Sequence, residues 1–317
     1  MNRIAVATAS QRAADAAREV AEAGGNAVDC ALAAALVTIN TEPSVCALAG
    51  SAFITIWPAD GDPVTIDGNV AVPGSDLDEA GRGQGAVEVT INYGGGITTL
   101  VGAGAVAVPG ALAAIEHASK QYGNVPWQTL FEPAIRACRN GFPLSAACRY
   151  YLGYSGDLIF NRSKEGFDTL RHADGTLLDV GERVILPDLA DTLETVAHDG
   201  ASVFYKGDIA EAIVDHCRRR DGMLTTADMA GYQAVERKPL LVDIGDWCIA
   251  SNPPPAVGGS VLAAMLLACA DLPASGWNSA ALERLITTQR ACLDFRRRNL
   301  DLADDAVSYT HLTLPTI

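Results

Sequence analysis

Apolar and polar residues follow two different periods along this chain, and the period separates predicted helices from predicted strands. In the first third, Ser10 can cap a helix that runs to about Ala23, and Asn26 can cap a second helix from Ala27 to about Val37. The second helix is apolar on all of its faces, a pattern typical of a buried helix. The pattern therefore predicts two packed, alanine-rich helices at the start of the chain.

Short strand-like segments come next, separated by turn residues, at 51–57, 63–68, 87–92 and 97–102. Their close spacing predicts antiparallel pairing within one sheet. Further helices are predicted at 110–121, 127–140, 188–199, 208–220, 260–270 and about 280–299. Strands and helices do not alternate regularly, so the pattern indicates a layered α/β protein rather than a doubly wound parallel sheet.

Composition narrows the functional class. A chain of 317 residues that is 49% hydrophobic can bury a large core. Its net charge of −15 opposes binding to nucleic acid and to anionic membranes. No run of eighteen apolar residues and no signal-peptide pattern is visible, so we expect a cytoplasmic protein. The eight scattered cysteines and five separated histidines form no metal-binding motif, so we expect buried reduced thiols, no metal and no cofactor.

One stretch, LVGAGAVAVPGALAAIEHA (100–118), has the look of a dinucleotide-binding fingerprint, because a strand precedes Gly102-x-Gly104. In the true motif a helix opens near the second glycine, and Pro109 would block such a helix. Pro109 fits better as the first residue of a later helix. The stretch is thus predicted to be a strand–turn–helix connection, and an NAD-binding oxidoreductase is disfavoured. Neither a GxSxG elbow nor a P-loop is present.

Three local features remain as candidate sites. Asp29 lies on an apolar helix, where a buried carboxylate must be hydrogen-bonded, as a structural clamp or as a site residue. Asp67-Gly68-Asn69 ends a predicted strand, where it can face a substrate or form a plain turn. Pro253-Pro254-Pro255 before Gly258-Gly259 is consistent with a structural turn.

Taken in order, several stretches resemble the gamma-glutamyltransferase family. They are EAGGNAVDCALAAAL (22–36), VPGALAAIEHASKQYGNVPW (108–127), EPAIRACRNGF (132–142), VFYKGDIAEAIV (203–214), GMLTTADMAGYQAVERKPL (222–240) and NPPPAVGG (252–259). These stretches are collinear with the family and extend over most of the chain.

The resemblance implies a fold and a mechanism. The fold is that of an N-terminal-nucleophile hydrolase, a four-layer αββα sandwich made as a precursor that cuts itself into a large and a small subunit. The new N-terminal threonine of the small subunit attacks the amide of a small-molecule substrate, and its own α-amine serves as base. Backbone N–H groups stabilise the oxyanion, and the acyl group passes to water or to an acceptor amine. No cofactor takes part.

The matching stretches all belong to the large-subunit portion of the family. We therefore expect residues 1–305 to be an incomplete large subunit that lacks its small-subunit partner. We expect residues 306–317, which end in SYTHLTLPTI, to be a non-native tail. If that end is genuine, Thr310 is the one candidate nucleophile. The isolated chain is predicted to be inactive and prone to aggregation, because sheet edges and apolar surface would lie exposed.

Two departures from the family bear on the substrate. The glutamyl enzymes carry a DFR motif whose arginine pairs with the substrate α-carboxylate, and here Asp67-Gly68-Asn69 stands in its place. The family's glycine-rich NLGGGGF loop is replaced by CALAGSAF (46–53). We therefore expect Asp67 and Asn69 to bind substrate, and the substrate to be a non-glutamyl amide. The alternative is a non-catalytic relative that acts as a binding or scaffold protein.

Overall fold

The structure, a computed structural model, describes residues 4–78, 84–272 and 276–300. The chain divides into two compact units. The first unit comprises residues 1–52 and 68–234, and the second comprises residues 53–67 and 235–317. Both helices and strands are present among the described residues, so the predicted mixed α/β class is confirmed.

The helices are, in chain order, α1 (Gln11–Glu22), α2 (Ala27–Thr41), α3 (Ala111–Tyr122), α4 (Trp127–Asn140), α5 (Ala146–Ser155), α6 (Lys164–Thr169), α7 (Pro187–Asp199), α8 (Ser202–Tyr205), α9 (Asp208–Arg218), α10 (Thr226–Gly231), α11 (Val257–Ala268) and α12 (Ser279–Phe295). The strands are β1 (Ala52–Ile56), β2 (Val64–Gly68), β3 (Val87–Ile91), β4 (Ile97–Val101), β5 (Phe142–Pro143), β6 (Arg183–Val184), β7 (Val235–Arg237), β8 (Leu240–Ile244) and β9 (Trp247–Ser251).

The two N-terminal helices form as their capping residues predict. The Ser10 hydroxyl accepts a hydrogen bond from the Ala13 N–H at 3.2 Å and begins α1. Asn26 caps α2, and Asp29 completes a capping box with it. The helix α2 extends to Thr41, four residues beyond the predicted end, and is buried on most of its faces. Small alanine side chains on α1 let the two helices pack closely.

The predicted pairing of the first four strands in one sheet is wrong. The strands β3 and β4 pair with each other as an antiparallel hairpin, with Val87 opposite Val101. Its turn contains Gly94, Gly95 and Gly96, all at positive φ, a conformation that glycine adopts without steric cost. The strands β1 and β2 lie in a separate sheet with the order β1-β2-β7. The described sheets are all small, with two or three strands each.

The start of α3 also differs from the prediction. Pro109 was expected at the first helical position, but α3 begins at Ala111 with Gly110 as its N-cap. The reason is a backbone contact, because the N–H groups of Gly110 and Ala111 both donate to the Gly50 carbonyl, at 2.9 and 3.0 Å. The connection itself is the predicted strand–turn–helix, since β4 leads through a short 3-10 turn into α3.

In the second unit, β8 and β9 form a hairpin, and α11 and α12 share a small apolar core with Val261, Cys292 and Leu300. The turn predicted at the proline run is present, because the Ala256 N–H donates to the Pro253 carbonyl at 3.1 Å. The helix α11 follows it at once, three residues earlier than predicted.

Candidate functional site

Asp67 lies near the end of β2 and is nearly buried, at 8% exposure. Its carboxylate accepts a charge-assisted hydrogen bond from the Arg237 Nε at 2.7 Å. Arg237 lies on β7, which pairs antiparallel with β2 so that Asp67 stands opposite Val235. The structure thus gives this carboxylate a role in joining two strands. Its predicted contact with a substrate stays a prediction. The sequence did not predict β7, because this strand has only three residues, Val-Glu-Arg, and these are too few to show a strand pattern.

Asn69 follows β2 directly and is exposed to solvent. Its backbone carbonyl accepts a hydrogen bond from the Tyr232 hydroxyl. We call residues Gly68–Asp76 the Asn69 segment. Its side chains at 69–72 are all exposed, and Val72 is 87% exposed. An anchored backbone with outward-facing side chains is an arrangement that can present Asn69 to a ligand.

Two glycines permit the close packing at the start of this segment. A Cβ added at Gly68 would collide with the Ala114 side chain and lie 2.8 Å from the Gly110 carbonyl. A Cβ added at Gly110 would collide with the Tyr232 hydroxyl and lie 2.7 Å from the Asn69 carbonyl. The Gly of Asp67-Gly68-Asn69 is therefore required by the approach of α3. That explains why a glycine stands between the two candidate residues.

A second anchor lies at the far end of the Asn69 segment. The Asp228 carboxylate accepts hydrogen bonds from the Gly74 N–H at 2.7 Å, the Ser75 N–H at 3.2 Å and the Ser75 hydroxyl at 2.7 Å. It also accepts from the Thr225 N–H at 3.1 Å, within the capping box of α10. Between the two anchors, Ala71 and Val108 exchange a pair of backbone hydrogen bonds at 3.1 and 2.9 Å.

These donors set the charge state of Asp228. Burial raises the pKa of its carboxyl group, but the hydrogen bonds from the Ser75 hydroxyl, the Gly74 and Ser75 N–H groups and Thr225 outweigh burial. The net pKa of Asp228 lies below its usual range. Asp228 is therefore an anionic acceptor at neutral pH. No sequence signal pointed to it, apart from its place in the capping box Thr-Thr-Ala-Asp.

Tyr232 is itself held in place. Its ring stacks on that of Tyr205, with centroids 5.8 Å apart and planes 10° from parallel. The Tyr205 hydroxyl donates to the Pro109 carbonyl and accepts from the Ala113 N–H, at 3.1 and 3.2 Å. Burial raises the pKa of Tyr205, so its hydroxyl stays protonated. Both rings line a surface cavity of about 360 Å³, which Glu116 also lines.

Asp29 was expected to be either a structural clamp or a site residue, and its contacts are those of a structural clamp. It is fully buried, and its carboxylate accepts from the Asn26 N–H at 2.9 Å. It also accepts from the Asn124 N–H at 3.1 and 2.9 Å, one distance for each carboxylate oxygen. The carboxylate therefore ties the start of α2 to the loop that follows α3.

All eight cysteines are free thiols, and five of them are buried. Burial raises the pKa of Cys46 and Cys138 to about 11, so both stay protonated at neutral pH.

Over the described ranges, no group of three His, Cys, Asp or Glu side chains could hold a metal ion. No described helix is both long and apolar enough to cross a membrane. Thr310 lies outside the described residues.

Comparison with known proteins identifies relatives of the chain. The profile of the family described as gamma-glutamyltranspeptidase matches residues 13–314. A glutathione hydrolase proenzyme from Pseudomonas aeruginosa is 33% identical over 267 residues, which are 83% of this chain and 45% of the relative. The chain thus spans less than half the length of that relative.

Solved structures show the same likeness. The gamma-glutamyltranspeptidase of Helicobacter pylori superposes with a TM-score of 0.80 and 25% identity, covering 96% of this chain and 88% of that one. A cephalosporin acylase from Bacillus halodurans gives a TM-score of 0.73 and 26% identity, covering 89% of this chain and 52% of that one. The predicted fold of N-terminal-nucleophile hydrolases is therefore confirmed.

Proposed function

The chain belongs to the gamma-glutamyltranspeptidase family, and we propose that it is the large-subunit part of an amide hydrolase or acyltransferase whose nucleophile comes from a small subunit. The relatives named glutathione hydrolase proenzymes support a precursor form. In this mechanism a threonine hydroxyl attacks the amide carbonyl, and the threonine's own α-amine takes up the proton. The acyl group then leaves to water or to an amine. We further propose residues 306–317 as a tail outside this subunit.

The proposed substrate is an amide of a non-glutamyl acyl group, bound by Asn69 and by Asp67, which lies two residues before it. One observation carries this proposal: a neutral asparagine is exposed on an anchored segment where glutamyl enzymes of the family use an arginine. An asparagine side chain can donate a hydrogen bond to a carbonyl oxygen, but it cannot neutralise a carboxylate. The exposed Val70 and Val72 beside it suit an apolar acyl chain better than a charged one.

The likeness to a cephalosporin acylase supports this choice, because that protein is named for a cephalosporin and not for a γ-glutamyl compound. The chain matches less than half of the length of the Pseudomonas aeruginosa relative, which supports a small subunit as its partner. We propose no nucleic-acid or membrane partner, in keeping with the net charge of −15.

The test uses the chain extended through the remaining length that its relatives have. The extended protein is assayed with a γ-glutamyl anilide and with fatty-acyl and aryl-acyl anilides that lack an α-carboxylate. We expect kcat/KM for the acyl anilides to be at least about tenfold higher than for the γ-glutamyl anilide. A factor of about ten corresponds roughly to the free energy of one hydrogen bond to a charged group. Robust transfer of the γ-glutamyl group to a dipeptide acceptor would refute the non-glutamyl assignment.

An Asn69→Arg variant sharpens the test. It is expected to lose acyl-anilide activity by about tenfold, because a charged group now meets an apolar acyl chain, without gaining full γ-glutamyl activity. Gln128→Arg is the matched control, since Gln128 is exposed on α4 and the substitution adds the same charge. A protein that neither processes itself nor cleaves any of these amides would support the alternative of a non-catalytic binding or scaffold relative.

A further inference from the structure

We propose that Asp228 is a positioning residue, which fixes the Asn69 segment on α10 and so sets the direction in which Asn69 meets the substrate. The substrate part of this inference rests on the proposed function. The anchoring part rests on geometry alone and can be tested without any turnover.

The Asn69 segment cannot be held by burial. Four consecutive side chains, at 69–72, are exposed, and so are those of Ser75 and Asp76. A segment with so little apolar burial opens easily unless its backbone is tied by hydrogen bonds. Apart from the backbone pair between Ala71 and Val108, the ties at its two ends come from α10 and the residue after it, because Tyr232 reaches Asn69 and Asp228 reaches Gly74 and Ser75. One short helix therefore grips the segment near both ends.

Asp228 makes more bonds than the helix alone requires. A capping box needs the aspartate side chain to accept one bond from the N-cap N–H, and the Thr225 N–H supplies it. Three further donors come from residues about 150 positions away, namely the N–H groups of Gly74 and Ser75 and the Ser75 hydroxyl. Thr225 adds a further link, because its hydroxyl lies 2.8 Å from an Asp76 carboxylate oxygen. Apart from a bond with the Thr225 hydroxyl at 3.0 Å, the additional contacts of Asp228 are with the Asn69 segment.

The chemistry of the site demands a carboxylate. Each oxygen of Asp228 serves the segment, since Oδ2 accepts from Gly74 and Oδ1 accepts from Ser75. An asparagine would keep one acceptor oxygen, and its NH₂ group would face N–H donors on the other side. A glutamate would keep both oxygens but displace them by one methylene. The Asp228→Asn change thus removes one of the two acceptor oxygens and weakens the hold on the segment, with a minimal change of shape.

The first measurement is hydrogen–deuterium exchange of peptides covering 68–78 in the extended protein, whether or not that protein processes itself. In Asp228→Asn we expect this segment, at Gly74 and Ser75, to exchange about tenfold faster, since one of the two acceptor oxygens is replaced by a donor. Asp191→Asn is the matched control, because Asp191 is an exposed carboxylate on α7 that pairs with Arg139. Unchanged exchange in Asp228→Asn would overturn the anchoring.

Ser75→Ala keeps the experiment decisive if Asp228→Asn does not fold. It removes one donor from the segment and leaves Asp228 and α10 intact. We expect the same peptides to exchange faster by about threefold, in the same direction. A segment whose exchange does not change in Ser75→Ala would count against the proposal in that case.

The second measurement separates positioning from mere stability. On the best acyl anilide, Asp228→Asn is expected to raise KM about fivefold with kcat within about twofold, as for a lost binding contact, and Asp228→Glu to recover part of the KM. Faster exchange with an unchanged KM would refute the link to the substrate. If the unsubstituted protein cleaves no amide, the proposed function fails, while the exchange data still decide whether Asp228 anchors the segment.

Discussion

Two buried aspartates, Asp29 and Asp228, use the same local device in two regions of the first unit. Each is the third residue of a helix and completes a capping box. Each also accepts backbone N–H groups from a distant loop, at Asn124 for Asp29 and at Gly74 and Ser75 for Asp228. The surroundings differ, since Asp29 is fully buried and joins the start of α2 to the loop after α3, whereas Asp228 ties a segment whose side chains are mostly exposed.

The difference shows that one motif, the capping box with an aspartate, can serve two purposes. Around Asp29 the neighbouring bonds add to the same junction, because the Asn26 side chain donates to the Tyr122 carbonyl at 2.7 Å and the Asn124 side chain to the Gly24 carbonyl at 3.0 Å. Breaking that clamp should loosen the helical core. Breaking the Asp228 clamp should release mainly the Asn69 segment. Variants at each of the two aspartates can test this division.

The largest effect is expected at Asp29. Asp29→Ala leaves the N–H groups of Asn26 and Asn124 without their buried acceptor, at a cost of about 3 kcal/mol in the free energy of unfolding. Urea unfolding followed by circular dichroism measures it in the extended protein. Asp191→Ala, at an exposed ion pair, should cost less than about 1 kcal/mol. Equal losses in the two variants would contradict the assignment of Asp29 as a core clamp.

A second variant approaches the same clamp from the opposite side. A Cβ added at Gly123 would lie 2.5 Å from the Ser119 carbonyl and 2.7 Å from an Asp29 carboxylate oxygen. Gly123→Ala is therefore expected to destabilise the protein by about 2 kcal/mol through overpacking. Gly231→Ala is the control, because a Cβ there meets nothing within 4 Å. It should be neutral or slightly stabilising, and a comparable loss in the control would undo the argument.

The smallest effect is a pH dependence at Asp228. Its folded-state pKa is lowered, so the stability it contributes is complete above the pKa of an ordinary aspartate and is lost as the pH falls through the lowered folded value. The difference in unfolding free energy between the unsubstituted protein and Asp228→Asn should therefore shrink in acid. A difference that grows as the pH falls would show that the carboxylate is not the acceptor inferred from the geometry.

The sequence predicted those parts of the molecule that depend on neighbours along the chain. Ser10, Asn26 and Asp29 signal their helices because capping acts over three residues. The place of Asn69 at the end of a strand was likewise readable. Contacts over long separations were not, and Asp228 with Gly74 and Asp67 with Arg237 are such pairs. No local pattern encodes which loop a carboxylate will meet, and the three-residue β7 is too short to show a period.

The salt bridge between Asp67 and Arg237 has a consequence for synthesis on the ribosome. The two residues are 170 positions apart, and the intervening chain belongs to the first unit. At about 5–20 residues per second, β2 waits roughly 10–30 s for its partner β7 to be made. During that interval an unpaired strand edge is open to other chains. The order of translation therefore makes the pairing of β2 with β7 a late step, although β2 itself is made early.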